Sequence, residues 1–153
     1  MNVCIPHSAE ERRFMVSKIL EGIDGETRGN GGNAAFSALF LDDINVPIGG
    51  IIFYGKSEHN VFITLKIYQT GKVTKKKIHQ TLSFAFEAPL HVYRITALVS
   101  STNRRSIVMA KKFGWHKEGE CIGFNGSEDD VTHIYRYTQK DWYGSKFYER
   151  IES

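Results

Sequence analysis

Two short stretches put cations where a helix repels them. "KIYQTGKVTKKKIHQTLSFAF" (66–86) reads as a strand, a tight turn and a helix that opens on Lys75, Lys76 and Lys77. "VYRITALVSSTNRRSIVMAKKFGW" (92–115) repeats the arrangement, with Asn103 as N-cap and Arg104 and Arg105 in the first helical turn. A helix N-terminus already presents about half a positive charge and disfavours a neighbouring cation by roughly 0.3–1 kcal/mol at exposed sites. The pattern has a chemical use, because amides at a helix start cradle phosphate oxygens and Lys or Arg adds charge around them. In open α/β sheets such strand-to-helix junctions gather beyond the carboxyl ends of the strands, where ligands bind. The plain alternative is that all these cations are solvated; the doubled pattern favours two junctions facing one phosphate-bearing ligand.

The elements that must position these residues follow from periodicity. Ser8 with Glu11 forms a capping-box pattern, and Phe14, Met15, Ile19 and Leu20 recur at helical spacing, which predicts a helix over about 8–21. "GIDGETRGNGGN" (22–33) is Gly-rich and reads as a loop, either flexible or a lid over a substrate. Runs rich in β-branched and aromatic residues predict strands at 35–41, 46–54 and 61–68. The lysine-bearing helix shows one apolar stripe, Ile78, Leu82, Ala85 and Phe86, and Pro89 ends it. A strand at 92–100, a helix from Asn103 to about Phe113 stopped by Gly114, strands at 115–123 and 131–137, and a weakly helical tail complete the order. Phe36, Phe40, Phe53, Tyr54, Phe62 and Tyr68 lie on predicted strands, where packing into a sheet explains them better than base stacking.

The chain has 153 residues, 41% of them hydrophobic and 24% charged, within the range of one soluble globular domain with its own core. A formal net charge of +3 does not by itself argue for nucleic-acid binding. Cys4 and Cys121 show no metal-ligand spacing and read as two reduced thiols, and no metal is expected. No apolar run reaches the length of a membrane span, and the start lacks a signal-peptide layout, so a cytoplasmic location is expected.

The segment 94–120 resembles the second half of the GCN5-related N-acetyltransferase (GNAT) domain. The matching pieces are Asn103, Ser106, Gly114-Trp115 and Glu118-Gly119, and the resemblance extends over about 61–142. Asp129-Asp130, Tyr135 and Trp142 are similar to the branch that acetylates ribosomal-protein N-termini and to acetyltransferase-like proteins of phages and prophages. The resemblance implies an α/β (α+β) fold: a mixed, mostly antiparallel sheet of about six to seven strands flanked by helices, as one domain over 1–153. It implies acetyl-CoA as co-substrate, with its diphosphate held by the turn Gln69, Thr70, Gly71, Lys72, Val73 and Thr74 and by Lys75. Asn103, Arg105 and Ser106 would contact it from the second helix, and a backbone N–H near Ile67 or Tyr68 would stabilise the oxyanion. Lys72 and Thr74 stand where the family usually has glycine, and Ala110 stands where many relatives carry a Tyr acid.

Transfer to an amine needs that amine neutral, so a base matters more for a lysine than for an α-amine. Glu58, His59, His91, His116 and His133 are candidates with plain readings as solvated side chains, and none is selected; Asn33 borders the acceptor site only by resemblance. The first functional reading is an N-acetyltransferase acting on a protein N-terminus, a lysine or a small amine by direct aminolysis. The alternative is a catalytically degenerate structural or interaction protein of the same fold, of phage or prophage origin and then located in a virion or host cytoplasm. A basic RNA-binding module ranks last, since no RNA-binding signature accompanies the charge. The partners expected are acyl-CoA and an amine acceptor, without membrane or nucleic acid; a homodimer is left open.

Overall fold

The computed structural model describes residues 2–21, 34–69 and 71–148. In chain order the elements are β1 (Asn2–Cys4), α1 (Ala9–Glu21), β2 (Ala34–Leu41), β3 (Pro47–Tyr54), β4 (Asn60–Ile67), α2 (Lys75–Thr81), α3 (Ser83–Phe86), β5 (Arg94–Ser100), α4 (Arg104–Lys112), β6 (His116–Ile122), β7 (Val131–Thr138) and α5 (Gln139–Tyr143). The strands form one seven-stranded sheet in the order β1-β2-β3-β4-β5-β7-β6. Neighbours are antiparallel except β4 and β5, which run parallel. The expected mixed, mostly antiparallel sheet is therefore what forms. The parallel pair arises because a whole helical crossover, α2 and α3, separates β4 from β5, whereas the antiparallel neighbours β2–β3, β3–β4 and β6–β7 are joined by short turns.

Strand alternation sorts the side chains onto two faces. One face packs Ile51, Phe53, Val61 and Ile95 against Leu82, Phe86 and Trp142 of the later helices. The other packs Leu39 and Ile52 against Met15, Val16 and Ile19 of α1. Phe40 and Phe53 are fully buried, and Phe36 packs on the same core, so these aromatics serve the sheet. Tyr68 ties β4 to α1, its hydroxyl donating to the carbonyls of Lys18 at 2.9 Å and Ile19 at 3.1 Å.

Several boundaries differ from the expectation. β1 is an additional strand whose three residues are too few to show a period. The lysine-bearing helix divides at Leu82, whose N–H is shared between the carbonyls of Ile78 and His79, both at 3.2 Å. Just before the break, the Thr81 hydroxyl donates to the Lys77 carbonyl at 2.8 Å, a back-bond that loosens a helix interior. Ser8 caps α1 as expected, accepting from Glu11 N–H at 3.0 Å, while Glu11 reaches back to His7 N–H rather than to Ser8. The tail supplies one short helix, α5, with a complete capping box between Thr138 and Asp141. The Gly-rich segment 22–33, including Asn33, lies outside the described residues. Among the described residues no helix is long and apolar enough to cross a membrane.

Candidate active site

β4 and β5 pair only from Asn60↔Arg94 to Ile63↔Ala97, yet β4 continues to Ile67 and β5 to Ser100. Beyond that last pair the two strands diverge. Tyr68 N–H donates to Ile48 O at 2.9 Å, which makes Ile48 and Tyr68 a hydrogen-bonded pair of the β3–β4 ladder. Alternation along an antiparallel ladder then turns the backbone groups of Lys66 and Thr64 toward β3 and those of Ile67 and Leu65 toward the gap beside β5. The gap thus exposes a short row of amide donors and acceptors on one wall.

A cleft of about 810 Å³ occupies this gap and continues between α2 and α4. Its walls are mostly apolar, from Leu65, Ile78, Val99 and Met109 among others. The cations among its described lining residues are Lys66 on β4, Lys75 at the start of α2, Arg104 and Arg105 at the start of α4, and Lys112 at the end of α4. Both strand-to-helix junctions border the same cleft. The α4 start is shaped by Asn103, whose side chain accepts from Ser106 N–H at 3.2 Å. The α2 start is shaped by Thr74, which accepts from Lys77 N–H at 3.2 Å. Gly71 in the preceding turn sits at φ +91°, a left-handed conformation that favours glycine.

Of the residues singled out in the sequence, Ile67, Gly71, Val73, Lys75, Asn103, Arg105 and Ser106 line the cleft. Tyr68, Gln69, Lys72 and Thr74 do not. Tyr68 spends its N–H on Ile48 and its hydroxyl on α1. Gln69 and Lys72 point to solvent and are joined by their backbones, Lys72 N–H to Gln69 O at 3.4 Å. Thr74 is an exposed cap, and Thr70 lies outside the described residues. Sequence reasoning missed Leu65, Ala97, Val99 and Met109, which line the cleft. The alternation of β4 and β5 identifies the strand residues once a splay between them is known.

The candidate bases are dispersed. Glu58 and His59 form an exposed pair at 3.7 Å in the turn before β4, at its paired end and away from the opening. His91 is exposed just before β5, and His116 pairs with Asp141 at 3.4 Å. His133 lies across from Val99, its Nε2 3.5 Å from Glu120 and its Nδ1 buried without a partner. None of these five lines the cleft. Behind α2, His79 is buried against Trp142: Nε2 meets the Trp142 carbonyl at 3.0 Å and the indole N–H donates to the His79 carbonyl at 2.8 Å. Burial lowers the imidazole pKa, and the bond to the Trp142 carbonyl opposes that shift in part.

On the opposite face Glu118 bridges Arg94 and Arg136, joining β5, β6 and β7, and these contacts hold its carboxyl below the usual range. Cys4 is exposed on β1 and Cys121 lies on β6, and neither borders the cleft. Among the described residues no group of three His, Cys, Asp or Glu could hold a metal ion.

By sequence, no family model and no curated protein matches the chain. By structure, a spermidine N-acetyltransferase SpeG chimera from Vibrio cholerae superposes with a TM-score of 0.71 at 14% identity, over 93% of this chain and 99% of that one. The Vibrio cholerae spermidine N-acetyltransferase in complex with CoA and spermine gives 0.68 at 16% identity, over 92% and 97%. A ribosomal-protein-S5-alanine acetyltransferase from Vibrio fischeri gives 0.59 at 21% identity, over 70% of this chain and 63% of that one. With its seven-stranded mixed sheet and one parallel, splayed pair, the chain has the GCN5-related N-acetyltransferase fold.

Proposed function

We propose that the chain, as a single domain over 1–153, is an acyl-CoA-dependent N-acyltransferase that passes an acetyl group from acetyl-CoA to an amine. The observation that carries this reading is the shared cleft: two strand-to-helix junctions, with Lys75, Arg104 and Arg105, open onto one gap between parallel strands. The residues fit such a substrate. Cations at the opening suit phosphates, apolar walls suit the pantetheine arm, and the outward amides of Leu65 and Ile67 suit its peptide-like groups. A neighbour of the same fold is in complex with CoA and spermine, which supports an acyl donor and an amine acceptor here too.

In this reading the amine nitrogen attacks the thioester carbonyl and a C–N bond forms. Negative charge gathers on the carbonyl oxygen, where the Ile67 N–H is the donor on hand; Tyr68 N–H is already committed to Ile48. Collapse breaks the C–S bond, and the proton lost by the amine goes to the thiolate. A thiol of pKa about 8.5 leaves without a strong acid, which is compatible with Ala110 on α4, where Ser106 is the hydroxyl that this helix adds to the cleft lining. Neither cysteine borders the cleft, which favours direct attack over an acyl-enzyme. The cytoplasm is the proposed location.

The test is thiol release from acetyl-CoA by the purified chain across α-amine peptides, lysine peptides and polyamines. Acceptor-dependent release supports the transferase. Binding of coenzyme A without release to any acceptor supports instead the degenerate protein of phage or prophage type. That second reading draws on Lys72 and Thr74, which stand in the turn where close phosphate approach favours glycine.

A further inference from the structure

Lys66 is a cleft cation that the phosphate contacts do not use. Lys75, Arg104 and Arg105 stand at helix starts, whereas Lys66 lies within β4, next to Ile67. Leu65 packs on the core that holds Leu82 and Phe86, and side chains alternate along a strand, so Lys66 extends from the opposite face, the one that carries α1. Gly50, its partner on β3, marks the same face: a Cβ there would meet Ile19 of α1 at 2.5 Å. Ile19 is fully buried and occupies the space over Gly50, which closes the β3 side to the lysine stem. All of 63–67 on β4 and 97–100 on β5 line the cleft, so the gap between the diverged strands is bordered from both faces. The backbone groups of Lys66 turn toward β3, so what it adds to this lining is its half-buried side chain. Among the described residues its ammonium has no hydrogen-bond or ion-pair partner.

Resting on the reading that the cleft holds acetyl-CoA with its thioester carbonyl at the Ile67 N–H, we propose that Lys66 is a modification site, which the chain acetylates on itself. The Ile67 nitrogen is bonded to the carbonyl carbon of Lys66, so the donor that fixes the thioester lies at the root of this side chain. The flexible stem brings Nζ into the gap from the α1 face, while the pantetheine arm enters from the side of α2 and α4. The ammonium gives one proton to water, and the neutral Nζ attacks the thioester carbon. A C–N bond forms, the C–S bond breaks, and the second proton lost by Nζ goes to the departing thiolate. The products are coenzyme A and a chain acetylated at Nζ of Lys66. An amine already held at the site spares the cost of bringing two reactants together. Lys75 and Lys112 also line the cleft, but they start from helices and not from the strand that carries the donor.

The experiment incubates the purified full chain with acetyl-CoA and no other amine, follows thiol release, and maps acetyl groups by mass spectrometry of peptides. The expected result is release that stops at a single thiol per chain, an acetyl group on Lys66 with Lys75 and Lys112 unmodified, and a rate per chain that does not change when the protein is diluted. In Lys66→Arg, first shown by its melting curve to be folded, this acceptor-independent release is lost, while Lys112→Arg retains it. While calorimetry shows that coenzyme A binds, any of three results overturns the proposal and leaves the transferase reading intact. These are no acetyl on Lys66 or acetyl spread over exposed lysines such as Lys72 and Lys76, a rate per chain that falls on dilution, and release that survives in folded Lys66→Arg. Failure of coenzyme A itself to bind the wild-type chain removes both readings.

Discussion

A single methyl group at Gly49 is expected to disturb the cleft from behind. Gly49 lies on β3 opposite Ile67, and a Cβ built there falls 2.5 Å from the Lys66 carbonyl oxygen and 3.3 Å from Ile67 Cα. Carbon and carbonyl oxygen rest at about 3.3–3.6 Å, so Gly49→Ala pushes β4 away by roughly 0.8 Å. The obstructing atoms are backbone and cannot rotate aside. Overpacking of this kind costs about 1–3 kcal/mol, a fall in Tm of about 4–8 °C for roughly 2 kcal/mol in a chain of this size. The displaced segment carries the Ile67 N–H, and a misplacement near 1 Å can cost about a hundredfold in rate. The assay is a melting curve paired with acyl-transfer kinetics, with Gly50→Ala as control. At Gly50 the new Cβ meets Ile19 Cγ1 at 2.5 Å, Cδ1 at 2.8 Å and the Ala38 carbonyl oxygen at 3.2 Å, so this site is overpacked as well, but against α1 and β2 rather than against β4. Both variants should lower Tm, and Gly49→Ala should lower kcat/KM more than Gly50→Ala. Wild-type behaviour of Gly49→Ala, or the reverse order, would refute the reasoning.

Three further outcomes follow from the same geometry. The double variant Lys75→Glu/Arg105→Glu should weaken coenzyme A binding by roughly tenfold, with a shallower salt dependence, because two exposed charge contacts are lost and inverted; titration at two salt concentrations checks this. Thr74→Ala removes the acceptor for Lys77 N–H and should cost about 1 kcal/mol of stability, read from denaturant melts. Because burial lowers the pKa of His79 in the folded state, the unfolded chain binds more protons below about pH 6.5. Stability should therefore decline as pH falls from that value, and His79→Gln should flatten the portion of the Tm profile between pH 5 and about pH 6.5.

Much of the fold is legible because its signals are local. The strand runs, the Ser8, Thr74 and Asn103 caps and the Gly114 stop are each set by a few neighbouring residues. What escapes is set at a distance. β1 exists only by pairing with Leu39–Leu41 of β2, and the break at Leu82 depends on bonds a helical stripe does not display. The candidate site divides in the same way. Lys75, Asn103 and Arg105 are legible because cations and a cap at helix starts are a sequence pattern, and Ser106 through the family resemblance. The roles of Tyr68 and Gln69 depend on the β3–β4 register through Ile48, and the place of Ala97 and Ala110 in the cleft lining depends on how α4 crosses the sheet. Small residues carry no mark in sequence that distinguishes a packed contact from an open pocket.

The most direct test of the cleft is an amide chemical-shift titration of the 17.4 kDa chain with coenzyme A. Saturable shifts concentrated at Leu65, Ile67, Gly71 and Lys75 on one wall and at Arg104, Arg105 and Ser106 on the other, with Glu58 and His59 unmoved, are the predicted result. Shifts confined to other surfaces, or none that saturate, would contradict it.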